Sequence, residues 1–155
     1  MLNSELKHNK IKRRYILNSL TKLSQHGHWL LRGAIASVFI YHGLGKFQNL
    51  APMANMLNMP IVMLFIVAST ETVGGALILF GGFLKDWMTR IGALILMPVM
   101  LGAIQMVHWG QWHFKATETH PMGGMQFPVT LLLVLLYLFV KGNSVKSSAA
   151  IPVSS

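Results

Sequence analysis

Four apolar segments, separated by more polar connections, dominate the hydropathy pattern of this chain. They cover residues 29–47, 61–83, 88–108 and 127–140. At about 1.5 Å of rise per residue, about 20 apolar residues in a helix cross a hydrocarbon core of about 30 Å. The pattern therefore predicts an all-α integral membrane protein, a four-helix bundle in which the last span is short for a bilayer of ordinary thickness.

Two polar segments flank these spans. Residues 1–28 are basic, and their apolar side chains recur at helical spacing: Ile11, Tyr15, Ile16, Leu20 and Leu23. This pattern predicts an amphipathic helix that lies on the membrane surface. It also resembles the first part of a signal peptide, but no small-residue cleavage site follows, and we expect the segment to be retained. The predicted organisation is a basic segment over 1–28, a four-span domain over 29–140 and a polar tail over 141–155.

The remaining connections have their own signals. Residues 48–60 contain two prolines and three asparagines, which favours a loop or a short turn. Residues 109–126 form the most polar connection. Pro98 lies inside the third apolar segment and predicts a kink there, because its ring removes one backbone hydrogen bond.

The composition supports a membrane protein and excludes several other classes. The chain is 53% hydrophobic with a net charge of +9. Because the basic residues flank apolar segments, they favour contact with anionic lipid rather than with nucleic acid. The chain has no cysteine, which excludes disulfides, thiol redox chemistry, zinc-thiolate sites and iron-sulfur ligation.

The basic residues also predict an orientation. In a four-span chain both termini lie on one side, and that side holds all of the 13 Lys and Arg residues except Lys46 and Lys115. Cytoplasmic loops carry the excess of Lys and Arg in membrane proteins. The sequence therefore predicts cytoplasmic termini, with the 109–126 connection outside.

Glu71 is the charged residue inside the second apolar segment, near its centre. A carboxylate near the bilayer midplane costs several kcal/mol unless it is protonated, paired or hydrated, so it should face the inside of the bundle. Ala68, Thr72 and Ala76 form a row of small residues beside it, which allows another helix to approach closely. A protonated carboxyl group with a purely structural hydrogen bond is the simpler interpretation.

His42 is the expected partner of Glu71. It shares one helix face with Arg32 and Lys46, whose long side chains are expected to extend to the two membrane interfaces. Side chains lean toward the N-terminus of their helix, which brings His42 and Glu71 to similar depths on antiparallel spans. We therefore predict a His42–Glu71 pair, direct or through one water molecule, as the catalytic groups, unless His42 is only a structural residue of the bundle.

Such a pair suits proton transfer or hydrogen bonding to a quinone carbonyl. The predicted quinone-binding residues are His42, Lys46, Glu71, Gln105 and His108, and no protein-bound metal is expected. Haem would need two histidines at one depth, whereas His108 lies near an interface. Copper would use the methionines of the outer half, but methionine serves more often as flexible packing.

Several motifs resemble the DoxX family of small four-helix membrane proteins. They comprise 31-LRG-33, 39-FIYHGLGKF-47, 71-ETVGG-75, 79-LFGGF-83 and 101-LGAI-104 with His108. The resemblance implies a prokaryotic cytoplasmic membrane and a role in quinone-dependent respiration or sulfur oxidation. It also implies assembly with partner subunits, since named members are subunits of a terminal quinol oxidase or of thiosulfate:quinone oxidoreductase. Related thiol-oxidation factors depend on cysteines that this chain lacks.

Two functional hypotheses follow. In the first, the chain is a membrane subunit of a quinone-linked oxidoreductase and binds quinone near His42 and Glu71. In the second, it is a non-catalytic subunit that assembles or stabilises a larger membrane complex. The carboxylate inside an apolar segment favours the first hypothesis, and the absence of a resident redox group favours the second, so catalytic activity stays an open question.

Overall fold

The computed structural model describes residues 2–24 and 26–143. These residues form six helices and no β-strand, which confirms the predicted all-α class. The helices are α1 (Leu2–Ser24), α2 (Gly27–Gln48), α3 (Leu50–Met56), α4 (Ile61–Gly81), α5 (Asp86–Met106) and α6 (Gln126–Lys141).

The described residues belong to two compact units. Within the first unit, α1 is helical as predicted, and its residues 8–20 are exposed to solvent along their whole length. Its amphipathic seating on a membrane stays a prediction. The second unit, Leu31–Ser144, contains α2 from Leu31 onward and the four following helices. All candidate functional residues lie in this second unit.

The core of the second unit is apolar and draws on four helices. Two of its largest side chains are Phe39 of α2 and Leu96 of α5, which are 1% and 0% exposed. The cluster is completed by Ile35, Ile78, Ala93, Met100, Leu131, Leu135 and Leu138. These residues recur at helical spacing on α2, α5 and α6, and α4 adds Ile78 to its other buried apolar residues Leu64 and Ala68. Each of the four helices therefore turns an apolar stripe inward.

Among the described residues, α4 and α5 are long and apolar enough to cross a membrane, at 21 residues each. α6 is also apolar but has 16 residues. Their outward faces are apolar as well, as shown by Phe65, Phe80 and Leu133, each more than half exposed. A helix that is apolar on all sides is typical of a membrane span.

α3 occupies part of a segment for which the sequence predicted a loop or short turn. It spans seven residues, with Pro52 as the third. Proline is tolerated in the first turn of a helix, where the backbone N–H has no partner within the helix. The proline therefore marks the start of a short helix here.

Arg32 corrects a second expectation. Its side chain does not extend to an interface but is fully buried. Nη1 donates to the Ile78 carbonyl at 2.9 Å and to Thr89 Oγ1 at 2.7 Å. Nη2 donates to the Gly142 carbonyl at 3.0 Å and to Asn143 Oδ1 at 2.7 Å. Ile78 lies in the last turn of α4, where carbonyls lack partners within the helix, so the guanidinium finds acceptors inside the protein.

Candidate functional site

Glu71 and Lys46 form an ion pair between α4 and α2. Lys46 Nζ donates to Glu71 Oε2 over 2.6 Å. The side chains are only 15% and 5% exposed, respectively. Charge-assisted hydrogen bonds of this kind are shorter and stronger than neutral ones, and pairing offsets part of the cost of burying each charge.

Close packing of α2 against α4 brings the pair together. A Cβ atom added at Gly43 would lie 2.8 Å from the Ala68 carbonyl oxygen and 2.9 Å from the Thr72 amide nitrogen, so only glycine fits. Gly75 on α4 likewise faces the backbone of Ala36 and Ile40 on α2. Ala68 and Thr72, two members of the row of small residues predicted beside Glu71, thus lie on the surface against which α2 packs.

The ion pair lies on the wall of a large, mostly apolar cavity. The cavity has a volume of about 650 Å³ and is lined by side chains of α2 to α6. Its polar and charged lining residues are His42, Lys46, Thr70, Glu71 and His108, and its methionines are Met53, Met59, Met63, Met100, Met106 and Met122. Ligand pockets of this size commonly combine apolar walls with a few polar groups.

His42 also lines this cavity, one helical turn before Lys46. Its side chain is exposed, whereas Glu71 is buried. Among the hydrogen bonds of the described residues, the carboxylate of Glu71 has Lys46 as its partner, and none joins it directly to His42. The predicted coupling of His42 to Glu71 through a water molecule stays a prediction.

His108 lies on the cavity wall near the end of α5. Its Nδ1 atom is 2.8 Å from the Gly123 carbonyl oxygen, and because a carbonyl can only accept, Nδ1 carries the proton. Gly123 has a φ of +78°, a conformation that glycine adopts readily. In the neutral ring, Nε2 is then the acceptor.

Gln105 is the predicted site residue that the structure separates from the others. It is exposed and does not line the cavity, whereas His42, Lys46, Glu71 and His108 all do. Within residues 2–24 and 26–143, no three His, Asp or Glu side chains cluster as metal ligands would. The cavity therefore offers an ammonium donor, a carboxylate acceptor and two imidazoles in an apolar enclosure.

The role of Lys46 as the partner of Glu71 was missed from the sequence. Lys46 leans back toward the N-terminus of α2, by the same rule that was applied to His42. Its side chain is longer and more flexible than that of histidine, so it can reach Glu71 from one turn farther along the helix than His42. The length of the lysine side chain, considered together with the rule for side-chain direction, is the sequence signal that identifies this pair.

Comparison with known protein families identifies the family of this chain. The DoxX family model matches residues 27–109, which include Lys46, Glu71 and His108. The chain belongs to the DoxX family. DoxX proteins are membrane proteins, in agreement with the apolar α4 and α5.

One curated relative supports this membership over more of the chain. It is a protein of Bacillus subtilis (strain 168) named "Putative oxidoreductase CatD", 30% identical over 127 residues. The match covers 80% of this chain and 85% of the relative. No solved structure matches the chain significantly.

Proposed function

We propose that this DoxX protein is the membrane subunit of a quinone-linked oxidoreductase and binds the quinone headgroup beside Lys46 and Glu71. The observation that carries the proposal is the Lys46–Glu71 ion pair on the wall of an apolar cavity of about 650 Å³. The relative named as an oxidoreductase supports the reaction class. A quinone ring fits such a site because its faces are apolar and its carbonyl oxygens accept hydrogen bonds.

Each polar group has a distinct role in this proposal. The ammonium group of Lys46 donates a hydrogen bond to one carbonyl oxygen of the ring and favours charge that develops on it. Glu71 accepts or returns the proton that accompanies electron transfer, because Lys46 holds its carboxylate next to the same carbonyl oxygen of the ring. His42, exposed on the cavity wall, relays that proton to water. His108 Nε2 accepts a hydrogen bond from the hydroxyl group at the other end of the ring when the ligand is reduced to the quinol.

Quinone supplies two-electron, two-proton redox chemistry, and the electrons require a second redox centre. Since the chain has no cysteine, it has no iron-sulfur ligation of its own. The proposal therefore includes a partner subunit that carries a redox cofactor and exchanges electrons with the bound ring. This chain holds the ring, excludes water from it and moves the protons.

The proposed setting is the prokaryotic cytoplasmic membrane. In this arrangement α2, α4, α5 and α6 cross the bilayer as a four-helix bundle, and α1 lies on the cytoplasmic surface as an amphipathic helix. Both termini are cytoplasmic. The shared apolar core of the four helices and the basic residues near both termini support this arrangement.

Quinone binding by charge-removing variants tests the proposal. In liposomes, Lys46→Gln and Glu71→Gln should each bind a short-chain quinone at least about tenfold more weakly, since a hydrogen bond to a charged group contributes about 1.5–3 kcal/mol. The matched controls are Lys115→Gln and Glu118→Gln, whose side chains are exposed on the 107–125 connection. These two variants should bind as the wild type does.

Unchanged binding in both site variants, with normal accumulation, would contradict the proposal. The non-catalytic assembly subunit would then be the better account. That account predicts that, when this chain is absent, the redox complex loses another of its subunits. The quinone site, formed by other subunits, should be kept. Quinone extraction from the purified complex, with and without this chain, distinguishes the two functions.

A further inference from the structure

A second, smaller cavity adjoins the one that holds Lys46 and Glu71. Its volume is about 210 Å³. The two cavities share the side chains of Leu57, Met59, Met106, Val107 and Met122, so they lie on either side of a common wall. Of the two cavities, Met56 and Pro121 line only the smaller one.

The chemistry of this second cavity differs from that of the first. All seven of its lining side chains are apolar, and four of them are methionines. Methionine side chains are unbranched and polarizable, so they fill irregular gaps and adapt to different shapes. The cavity therefore suits a flexible apolar chain and offers a quinone ring no side-chain hydrogen bond.

We infer that the methionine-lined cavity holds the apolar tail of the ligand whose headgroup lies at Lys46 and Glu71. The inference rests on the proposed quinone function and specifies its substrate class: a quinone that carries a long hydrocarbon tail. The distribution of polar side chains supports the assignment. The charged pair lines the larger cavity, whereas only apolar side chains line the smaller one. Met106 and Met122 at the shared wall are 63% and 46% exposed, which leaves them room to move aside as a tail passes.

Photolabelling can locate the two ends of the ligand separately. One probe is a quinone with a diazirine on its ring, and the other is a decyl quinone with a diazirine at the end of the tail. Both are applied to the full chain in liposomes, and the labelled residues are identified by mass spectrometry. The ring probe should label residues beside Glu71, and the tail probe should label Met56, Pro121 or Met122.

Variants at the shared wall make the test specific. Met106→Trp should block the passage, so that labelling of Met56 and Pro121 by the tail probe falls relative to labelling beside Glu71 by the ring probe in the same variant. Met122→Trp tests the same wall from the 107–125 connection, should Met106→Trp fail to fold. The control is Leu101→Trp, on the same helix, which is 55% exposed and lines neither cavity.

The outcomes separate this inference from the proposed function. If the ring probe labels the site but the tail probe labels only lipid-facing residues such as Phe65, the tail lies in the bilayer and the inference is wrong. If the ring probe labels nothing in the larger cavity, the proposed quinone site itself is wrong. Loss of tail labelling in the Leu101→Trp control would also overturn the assignment, because blocking the shared wall would then not be its cause.

Discussion

At the scale of single residues, Lys46 and Glu71 hold opposite charges inside an otherwise apolar enclosure. Removing either charge from water costs several kcal/mol, and only a short, well-directed contact offsets that cost. The 2.6 Å separation of Nζ and Oε2 provides such a contact. The pair is therefore held in place before any ligand arrives, which lowers the cost of organising a binding site.

A double-mutant cycle measures how strongly the two residues depend on each other. Lys46→Met leaves a buried carboxylate without its cation, so this single variant should lose about 3–5 kcal/mol of stability. Adding Glu71→Gln should restore part of that loss, which gives an interaction energy of about 0.5–3 kcal/mol. Denaturant unfolding of the four proteins in one detergent provides the measurement.

His42 lines the same cavity and provides a comparison for the coupling of Lys46 to Glu71. The structure gives it no direct hydrogen bond to Glu71 among the described residues, so the interaction energy of His42 with Glu71 should be smaller than that of Lys46 with Glu71. Strong coupling of His42 to Glu71, with additivity of Lys46 and Glu71, would make His42 rather than Lys46 the main partner of Glu71.

Sequence reasoning could find Glu71 because a charge within a long apolar run is a strong signal. It could place His42, Lys46 and Glu71 close together, because helix direction and spacing fix the shared faces. It could not choose between His42 and Lys46 as the ion partner, since that choice depends on side-chain length and on the distance between the helices. It could not tell that Gln105 lies outside the cavity, because the rotation of α5 about its axis decides which face lines the cavity.

At the scale of helices, the approach of α2 to α4 sets the geometry of the ion pair. Gly43 lies about one turn before Lys46, on the face of α2 that meets Ala68 and Thr72 of α4. Any side chain at this position must push α2 outward from the α4 backbone. The small residues therefore control the distance over which Lys46 reaches Glu71.

Two neighbouring glycines allow a matched test of this control. Gly43→Leu should destabilise the protein by about 1–3 kcal/mol through overpacking and should weaken quinone binding together with stability. Gly45→Leu should leave both unchanged, because nothing lies within 4 Å of a Cβ atom added there. Unfolding curves and quinone titration of the two variants give the comparison, and equal effects at both positions would show that the α2–α4 contact is not limiting.

Helix ends explain why Arg32 was placed wrongly from the sequence. A long basic side chain near the end of an apolar segment usually extends to the interface. Here the carbonyl of Ile78 on α4 and that of Gly142 after α6 accept from its guanidinium. The side-chain amide nitrogen of Asn143 donates a further hydrogen bond to the Gly81 carbonyl. Carbonyl groups at the ends of α4 and α6, which lack partners within their helices, therefore find donors at one place. Such a set forms only when three distant parts of the chain meet, which no local pattern reveals.

At the scale of the whole molecule, the distribution of charge supports one orientation in the membrane. Buried charges do not contact lipid headgroups, so Arg32 and Lys46 drop out of the comparison between the two sides. In the proposed four-span arrangement, Lys115 then stands alone on the side of the 107–125 connection, and ten Lys and Arg residues remain on the side of the termini. The excess of positive charge near the termini is stronger after this correction, which favours cytoplasmic termini.

Single introduced cysteines test this orientation directly, because the chain has none of its own. In intact cells, an impermeant thiol reagent should label Glu118→Cys and should not label Ser4→Cys or Ser148→Cys. Glu118 is a better probe than Thr117, whose hydroxyl group donates to Gln111 Oε1 at 2.8 Å and helps to hold the connection in shape. Permeabilised cells, in which all three variants should react, control for accessibility. Labelling of the terminal cysteines in intact cells, with none at position 118, would invert the predicted orientation and place the 107–125 connection on the cytoplasmic side.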